Sequence, residues 1–475
     1  MTDPFVVVGG DAAGLSAASK YRREAPDRDV VVFEKGDWVS YAQCGMPYFV
    51  KGDVDSMTDL LSLSPEAARE RGIDLRRRHE VTAVDPDAKT VTVRSEDGTF
   101  EQPYGDLLVA TGARARSAPV PGTDRSGAFT LHSMDDTAAL RAFLVDEAEA
   151  EEIASVDYVD ADYVREYGAR DPPETAAIVG GGYVGVEMAE AFAAHDLDVH
   201  LFQRPEQLLR PFGEAAGDLV AEKLREHGVT VHLGTEVEAL TGDDGALSGI
   251  EYDGGRLDAD VAVVGIGVRP NTDLLEGSGV ELGDSGAVEI DEHGRTNREH
   301  VYAAGDCAEM RHAVTGDADW VPLGLTANRA GRAIGQTVAG DPEPVGDIAG
   351  TAAVKAFELE CGRTGILDHE RARDAGFDPV SETVTAGSRS GYYPGNEDTT
   401  VTLTADRETG RLLGGSIAGE DRAAVRIDTV ATALESDLTV PEVERLDLAY
   451  APPFSPVWDP VLVAAKVLAS DLDAE

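Results

Sequence analysis

An α/β chain with two Rossmann-like domains and a C-terminal α+β domain is expected from three features of the sequence. The segment FVVVGGDAAGLSAASKYRREAPDRDVVVFEK, from Phe5 to Lys35, reads as strand, glycine-rich turn, helix and strand. The same order recurs at TAAIVGGGYVGVEMAEAFAAHDLDVHLFQR, from Thr175 to Arg204. At DPEPVGD, residues 341–347, the composition shifts to a mixed α/β segment that runs to the C-terminus. A length of 475 residues suits about three domains at roughly 150 residues each.

In the first unit the short apolar runs suit strands buried on both faces of a parallel sheet. Ala12, Ala13, Leu15, Ala17 and Ala18 give a helix start small enough to pack closely on that sheet. Further strands are expected at Leu107–Ala110 and Val261–Val264, and another ends in VYAAGDC, Val301–Cys307. Residues 146–171 hold ten acidic residues and are followed by Pro172 and Pro173, which reads as an acidic surface insertion or linker.

Asp and Glu number 89 and Lys and Arg 41, for a formal charge of -48. Such a charge repels nucleic acid and anionic membranes. Only seven of the 41 basic residues are lysine, and the dense carboxylates read as a halophilic surface suited to high salt. The cysteines, Cys44, Cys307 and Cys361, stand in unrelated contexts, which argues against a disulfide framework and a zinc site. No apolar run approaches the ~20 residues of a membrane span, and MTDPFVVVGG enters a strand without a basic leader. A soluble cytoplasmic protein without a metal is expected.

Gly9 and Gly14 hold the outer positions of the six-residue dinucleotide fingerprint, with Asp11 where the middle glycine is usual. Glycine allows the tight turn and the close helix approach, and the helix N-terminus faces a pyrophosphate. Glu34, at the end of the following strand, is placed to accept a hydrogen bond from a ribose hydroxyl. The second turn, Gly180, Gly182 and Gly185, fits the whole fingerprint. Its second strand ends in Phe202, Gln203 and Arg204 without an acid. An arginine there can pair with a 2′-phosphate, so NADPH is favoured over NADH.

The two fingerprints, together with ATGARA at Ala110–Ala115 and TNREHVYAAGDC at Thr296–Cys307, resemble the flavin-dependent pyridine nucleotide-disulfide oxidoreductases across essentially the whole chain. The resemblance implies FAD on the first turn, contacted by Gly9, Gly10, Ala13, Gly14, Glu34, Lys35, Ala110, Thr111, Gly112, Asp306 and Ala327. It implies NADPH or NADH on the second, with Gly180, Gly182, Tyr183, Gly185, Glu187, Gln203, Arg204 and Gly267. It also implies a division into an FAD-binding domain (1–118 and 270–340), an NAD(P)H-binding domain (119–269) and a dimerisation domain (341–475).

In place of the family's familiar CxxxxC pair stands SYAQCGMPYF, with Ser40 and the single Cys44. This resembles the single-cysteine branch of coenzyme A-disulfide reductases, NADH oxidases, NADH peroxidases and persulfide reductases. VPLGLTANRAGR, GYYPG and LAYAPPFSPVWDP fit the same branch, the last two in the domain that makes the homodimer and completes the partner's active site. Oxidases and peroxidases of the branch commonly carry a histidine where this chain has Ala12. Coenzyme A-disulfide reductases instead offer two tyrosines from the partner, matched by Tyr450 and by Tyr392 or Tyr393, with Tyr392 favoured.

The expected activity is FAD-dependent NAD(P)H reduction of coenzyme A disulfide, or of a related small disulfide or persulfide, through a mixed disulfide of coenzyme A on Cys44. A helix N-terminus is expected to depress the Cys44 pKa, with Ser40 orienting the sulfur. Lys20, Arg23, Gln43 and Arg71 match substrate-contacting positions. NADH oxidase or peroxidase chemistry through a Cys44 sulfenic acid and a flavin-binding redox sensor are the alternatives. Cys307 and Cys361 read as packing residues, Arg76–Arg77–Arg78–His79 as a solvated strand or loop, and His227 and His232 as structural.

Overall fold

A strand covered on both faces has no solvent side, which is why its sequence is uniformly apolar rather than alternating. Phe5–Val8 is such a strand, with all four residues buried. In a computed structural model, which describes residues 3–116 and 120–473, it is the centre of a five-stranded sheet. The order is Val301–Ala303, Asp106–Val109, Phe5–Val8, Val30–Phe33, Asp74–Arg76, all parallel. The expected boundary between 118 and 119 lies outside the described residues.

The second parallel sheet repeats this plan around Thr175–Val179, in the order Thr230–Leu233, Asp198–Gln203, Thr175–Val179, Val261–Val264, Ala128–Phe129. Ala113–Ala115 and Val268–Pro270, where the chain leaves and re-enters the first unit, pair antiparallel. The acidic stretch 146–171, expected as a surface insertion or a linker, is structured and carries its acids on the outside. It folds into helices Glu147–Ala154 and Ala161–Gly168, which bury Ile153, Val164 and Tyr167 while Glu147, Glu151 and Glu152 face solvent. Apolar residues at helical spacing among the acids supply that buried face.

Helix Ala12–Glu24 packs against Gly324–Ala339 so closely that a Cβ on Gly331 would stand 2.1 Å from the Ala13 carbonyl oxygen. The C-terminal part is an antiparallel sheet, ordered Ala352–Ala356, Leu359–Gly365, Leu412–Gly419, Asp398–Asp406, Pro379–Gly387. Helices Ala423–Glu435 and Pro460–Asp473 bury Ile427, Val430 and Leu468 on it. One apolar core joins Phe49 and Val50, beside Cys44 in the chain, to Val186 and Met188 of the second unit and to Val354 of the C-terminal sheet. Among the described residues no helix is long and apolar enough to cross a membrane.

Candidate active site

The two glycine turns share one geometry. Gly9 has φ +110° and Gly180 +109°, and a Cβ on either would press on a carbonyl across the turn, at 2.1 Å from Ala110 and 2.4 Å from Gly265. A Cβ on Gly14 would stand 1.9 Å from the Gly9 oxygen, and one on Gly185 1.8 Å from the Gly180 oxygen. Only glycine combines this backbone with this closeness. The Gly10 amide donates to Glu34 Oε2 at 2.9 Å, and the Gly181 amide to Gln203 Oε1 at 3.0 Å. Glu34 and Gln203 thus hold the same place in the two units, and their different charge is the main contrast between the turns. Arg204 follows, its side chain 75 % exposed and 3.7 Å from Glu236.

Beside the first glycine turn opens a cavity of about 270 Å³, lined in part by Gly9, Glu34, Lys35, Thr111 and Asn271. It lies at the carboxyl ends of parallel strands, where such sheets bind nucleotides. Ala110, Thr111 and Gly112 continue the strand Asp106–Val109, and Asn271 locks that corner by donating to the oxygens of Thr111 (3.0 Å) and Ala113 (2.8 Å). The glycine cradle, the acid and the cavity fit an adenine dinucleotide. Asp306 follows the strand Val301–Ala303 and is partly enclosed, and burial pushes its carboxyl up to about 6. Ala13 and Ala327 are buried on the facing helices, while Gly267 is exposed with φ +99°.

Cys44 is exposed in the turn Gln43–Gly45, which leads into helix Met46–Lys51. The preceding loop is tied to the first glycine turn. Ser40 donates its amide to the Gly10 oxygen at 2.9 Å, and Tyr41 its amide to Asp11 Oδ1 at 3.0 Å. Ser40 has φ +48°, a left-handed conformation that a non-glycine residue adopts only when its surroundings impose it. From the second unit Glu187 approaches, accepting a hydrogen bond from the Tyr48 hydroxyl at 3.0 Å. One turn further along each helix, Lys51 pairs with buried Glu190 at 2.9 Å, and Lys355 of the C-terminal sheet reaches the same carboxylate at 3.2 Å.

The expected depression of the Cys44 pKa is not what this setting produces. Partial enclosure of the sulfur, then the carboxylates of Glu187 and Asp306, push the thiol up, and Asp11 adds to them. Glu187 itself is raised to about 7 by burial. Asp11, at the start of helix Ala12–Glu24, makes no capping bond there and is raised to about 7 by burial and by Glu34. The helix after Cys44 is a single short element of six residues, too small a dipole to offset several nearby acids.

The other expected residues fall into three places. Tyr450 and Tyr392 are 50 % and 77 % exposed on the C-terminal part, with Tyr393 half-buried beside them. Gln43 lies near Cys44 and donates to the Tyr41 hydroxyl at 3.4 Å, whereas Lys20 is buried and bound to Glu24 at 2.6 Å. Arg23 and Arg71 are exposed. Cys307 and Cys361 are buried, and Arg76 and Arg78 pair with Asp74 and Asp37. Tyr48, Glu190, Asn271 and the acidic character of the Cys44 surroundings escaped the sequence reading. Tyr48 and Glu187 stand 139 positions apart, and no local spacing announces their contact.

Residues 3–323 match the family model described as pyridine nucleotide-disulphide oxidoreductase, and residues 351–460 match that family's dimerisation domain. The chain belongs to this family. It is 37% identical over 470 residues to an NAD(P)H coenzyme A polysulfide/persulfide reductase of Pyrococcus horikoshii, covering 98% of this chain and 99% of that one. It is 30% identical over 456 residues to a coenzyme A disulfide reductase of Staphylococcus haemolyticus, covering 95% and 96%. Among solved structures, an NAD-dependent persulfide reductase from A. fulgidus superposes with a TM-score of 0.89 at 32% identity, covering 99% of this chain and 83% of that chain. The family supplies the expected fold, two dinucleotide-binding units and a dimerisation domain, and makes the protein a flavoprotein oxidoreductase dependent on NAD(P)H.

Proposed function

We propose that this protein is an NAD(P)H-dependent reductase of coenzyme A-linked disulfides or persulfides that works through Cys44. The observation that carries the reading is the place of that sulfur. It is the one exposed cysteine among the described residues, and carboxylates of both units, Asp306 of the first and Glu187 of the second, act on it electrostatically. FAD held at the first glycine turn by Gly9, Glu34 and Thr111 would supply a two-electron relay from a nicotinamide to a disulfide.

The chain's own part is thiol–disulfide exchange. The Cys44 thiolate attacks one sulfur of the substrate, forming a mixed disulfide and expelling the first thiolate. Two electrons then cleave the mixed disulfide, releasing the second thiol and restoring Cys44. The sum is NAD(P)H, a proton and a disulfide giving NAD(P)⁺ and two thiols. With a persulfide the expelled group is hydrosulfide. Tyr450 of the partner subunit and Tyr392 of the partner subunit stand as hydrogen-bond donors to the departing thiolate, completing the site in a homodimer. Exposed Arg23 and Arg71 suit the phosphates of coenzyme A, and exposed Arg204 suits the 2′-phosphate of NADPH.

Anaerobic assay tests this reading. NADPH consumption should begin on addition of coenzyme A disulfide or persulfide, and Cys44→Ser should lower it by about a thousandfold or more while FAD stays bound. Consumption that requires oxygen or peroxide would instead identify an oxidase. Negligible turnover with every acceptor would identify a redox sensor.

A further inference from the structure

Two irregular segments of the C-terminal part carry the exposed tyrosines. Tyr392 and Tyr393 stand in the loop 388–397, between the strands Pro379–Gly387 and Asp398–Asp406, and Tyr450 begins the segment that runs to Asp459. Loops with exposed tips are mobile unless their backbone is tied down. Here a partly enclosed network of arginines and carboxylates ties both.

Arg389 grips Asp421 with two nitrogens, Nε to Oδ2 at 2.6 Å and Nη2 to Oδ1 at 2.8 Å, and Ser388 Oγ donates to the same carboxylate at 2.9 Å. Arg422 donates to Asp421 Oδ1 at 3.1 Å and to the Phe454 oxygen at 3.1 Å. Arg426 pairs with Asp459, and its Nη2 reaches the oxygens of Ser388 at 2.7 Å and Phe454 at 3.1 Å. Arg422, just before helix Ala423–Glu435, and Arg426, within it, therefore each bind both segments or their anchors. The side chains of Asp421, Asp459 and Arg426 are 10%, 10% and 11% exposed. The Arg389 hydrogen bonds, followed by Arg422 and Ser388, hold the Asp421 carboxyl well below the usual range.

A buried ion-pair network is poor value as a source of stability, because desolvation cancels most of the attraction. What it does supply is fixed geometry, since a guanidinium fork dictates the plane of its acceptors. Arg422 is also held at φ +54°, a strained conformation for a residue with a side chain. Strain and enclosed charge together lie beneath two loops that expose Tyr392, Tyr450, Phe454, Val457 and Trp458.

We propose that this clamp sets the positions of Tyr392 and Tyr450, making Arg426 and Asp421 positioning residues for disulfide turnover in the partner subunit. The inference rests on the proposed function, in which these tyrosines meet the departing thiolate. Displacing such a donor by about 1 Å is enough to cost up to a hundredfold in rate.

The test uses the FAD-loaded dimer with Arg426→Lys, Asp421→Asn and the milder Ser388→Ala. Sedimentation, FAD content and the rate of flavin reduction by NADPH should remain within about twofold of the parent, while the rate with coenzyme A disulfide falls about tenfold or more, and about threefold for Ser388→Ala. Tyr450→Phe should add little in the Asp421→Asn background, because the misplaced hydroxyl no longer contributes. Amide exchange in 388–397 and 450–459 should quicken together in each variant. An unchanged rate with the disulfide, multiplicative losses with Tyr450→Phe, or loss of the dimer in all three variants would overturn the clamp as a positioning device. A parent enzyme that ignores coenzyme A disulfide would overturn the proposed function instead, and the joint change in amide exchange would still read the clamp.

Discussion

Cys44 sits among acids, and this colours every charge nearby. Burial raises the thiol first, and the carboxylates of Glu187 and Asp306 raise it further, so neutralising one acid lowers it. Glu187→Gln should move the pH midpoint of Cys44 alkylation downward, read as the rate of iodoacetamide labelling against pH. Asp11 lends itself to a second test. Its pKa stands at 3.8 for an ordinary aspartate and about 7 in the fold, so the folded state binds the proton more tightly. The corresponding stability is complete below about 3.8 and drains away as pH climbs through about 7, an upper bound of about 4 kcal/mol. Asp11→Asn lacks this slope. Between pH 5 and 8 the apoprotein's melting temperature should fall less for Asp11→Asn than for the parent, and FAD should dissociate less at pH 8, because an ionised Asp11 would face the incoming pyrophosphate.

At the scale of elements, the decisive contact is between the helices Ala12–Glu24 and Gly324–Ala339. Gly331 and Gly335 face the Ala13 and Ala17 carbonyls at distances, 2.1 and 2.4 Å for an added Cβ, that no side chain tolerates. Gly331→Val must therefore part the helices and displace the first glycine turn. The expected cost is about 3 kcal/mol or more, visible as a lower melting temperature and as loss of FAD on dilution. The pairing itself was hidden in the sequence. The glycine fingerprint was legible because its residues are local, whereas Gly331 lies far along the chain from Ala13, and small residues at helical spacing do not name their partner. The same reason concealed Tyr48 with Glu187 and the helices of 146–171, where acidic composition masked the apolar face of Ile153, Val164 and Tyr167.

For the whole molecule, a formal charge of -48 makes self-repulsion a first-order contribution. Salt shortens the Debye length from about 10 Å at 0.1 M to about 3 Å at 1 M. Raising potassium chloride from 0.1 to 2 M should therefore raise the melting temperature and strengthen the dimer, where an uncharged surface would show neither change. Thermal melts and sedimentation across that range decide it. The apolar residues exposed on the C-terminal part, Phe454, Val457 and Trp458 beside Tyr450, lie within the segment that matches the family's dimerisation domain and suit burial against a second copy.

The sequence by itself determined the two glycine turns, Glu34 and Gln203 at the ends of the strands that follow them, and Cys44 in the segment after the first unit. These are local patterns, and a βαβ turn needs glycine wherever its backbone must take a positive φ against a neighbouring carbonyl. Only the tertiary structure decided what surrounds the sulfur. The protonation of Cys44 depends on its partial burial and then on Glu187, Asp306 and Asp11, and the setting of Tyr392 and Tyr450 depends on Asp421 and Arg426. Desolvation and charge act through space, over distances that the order of residues along the chain does not record.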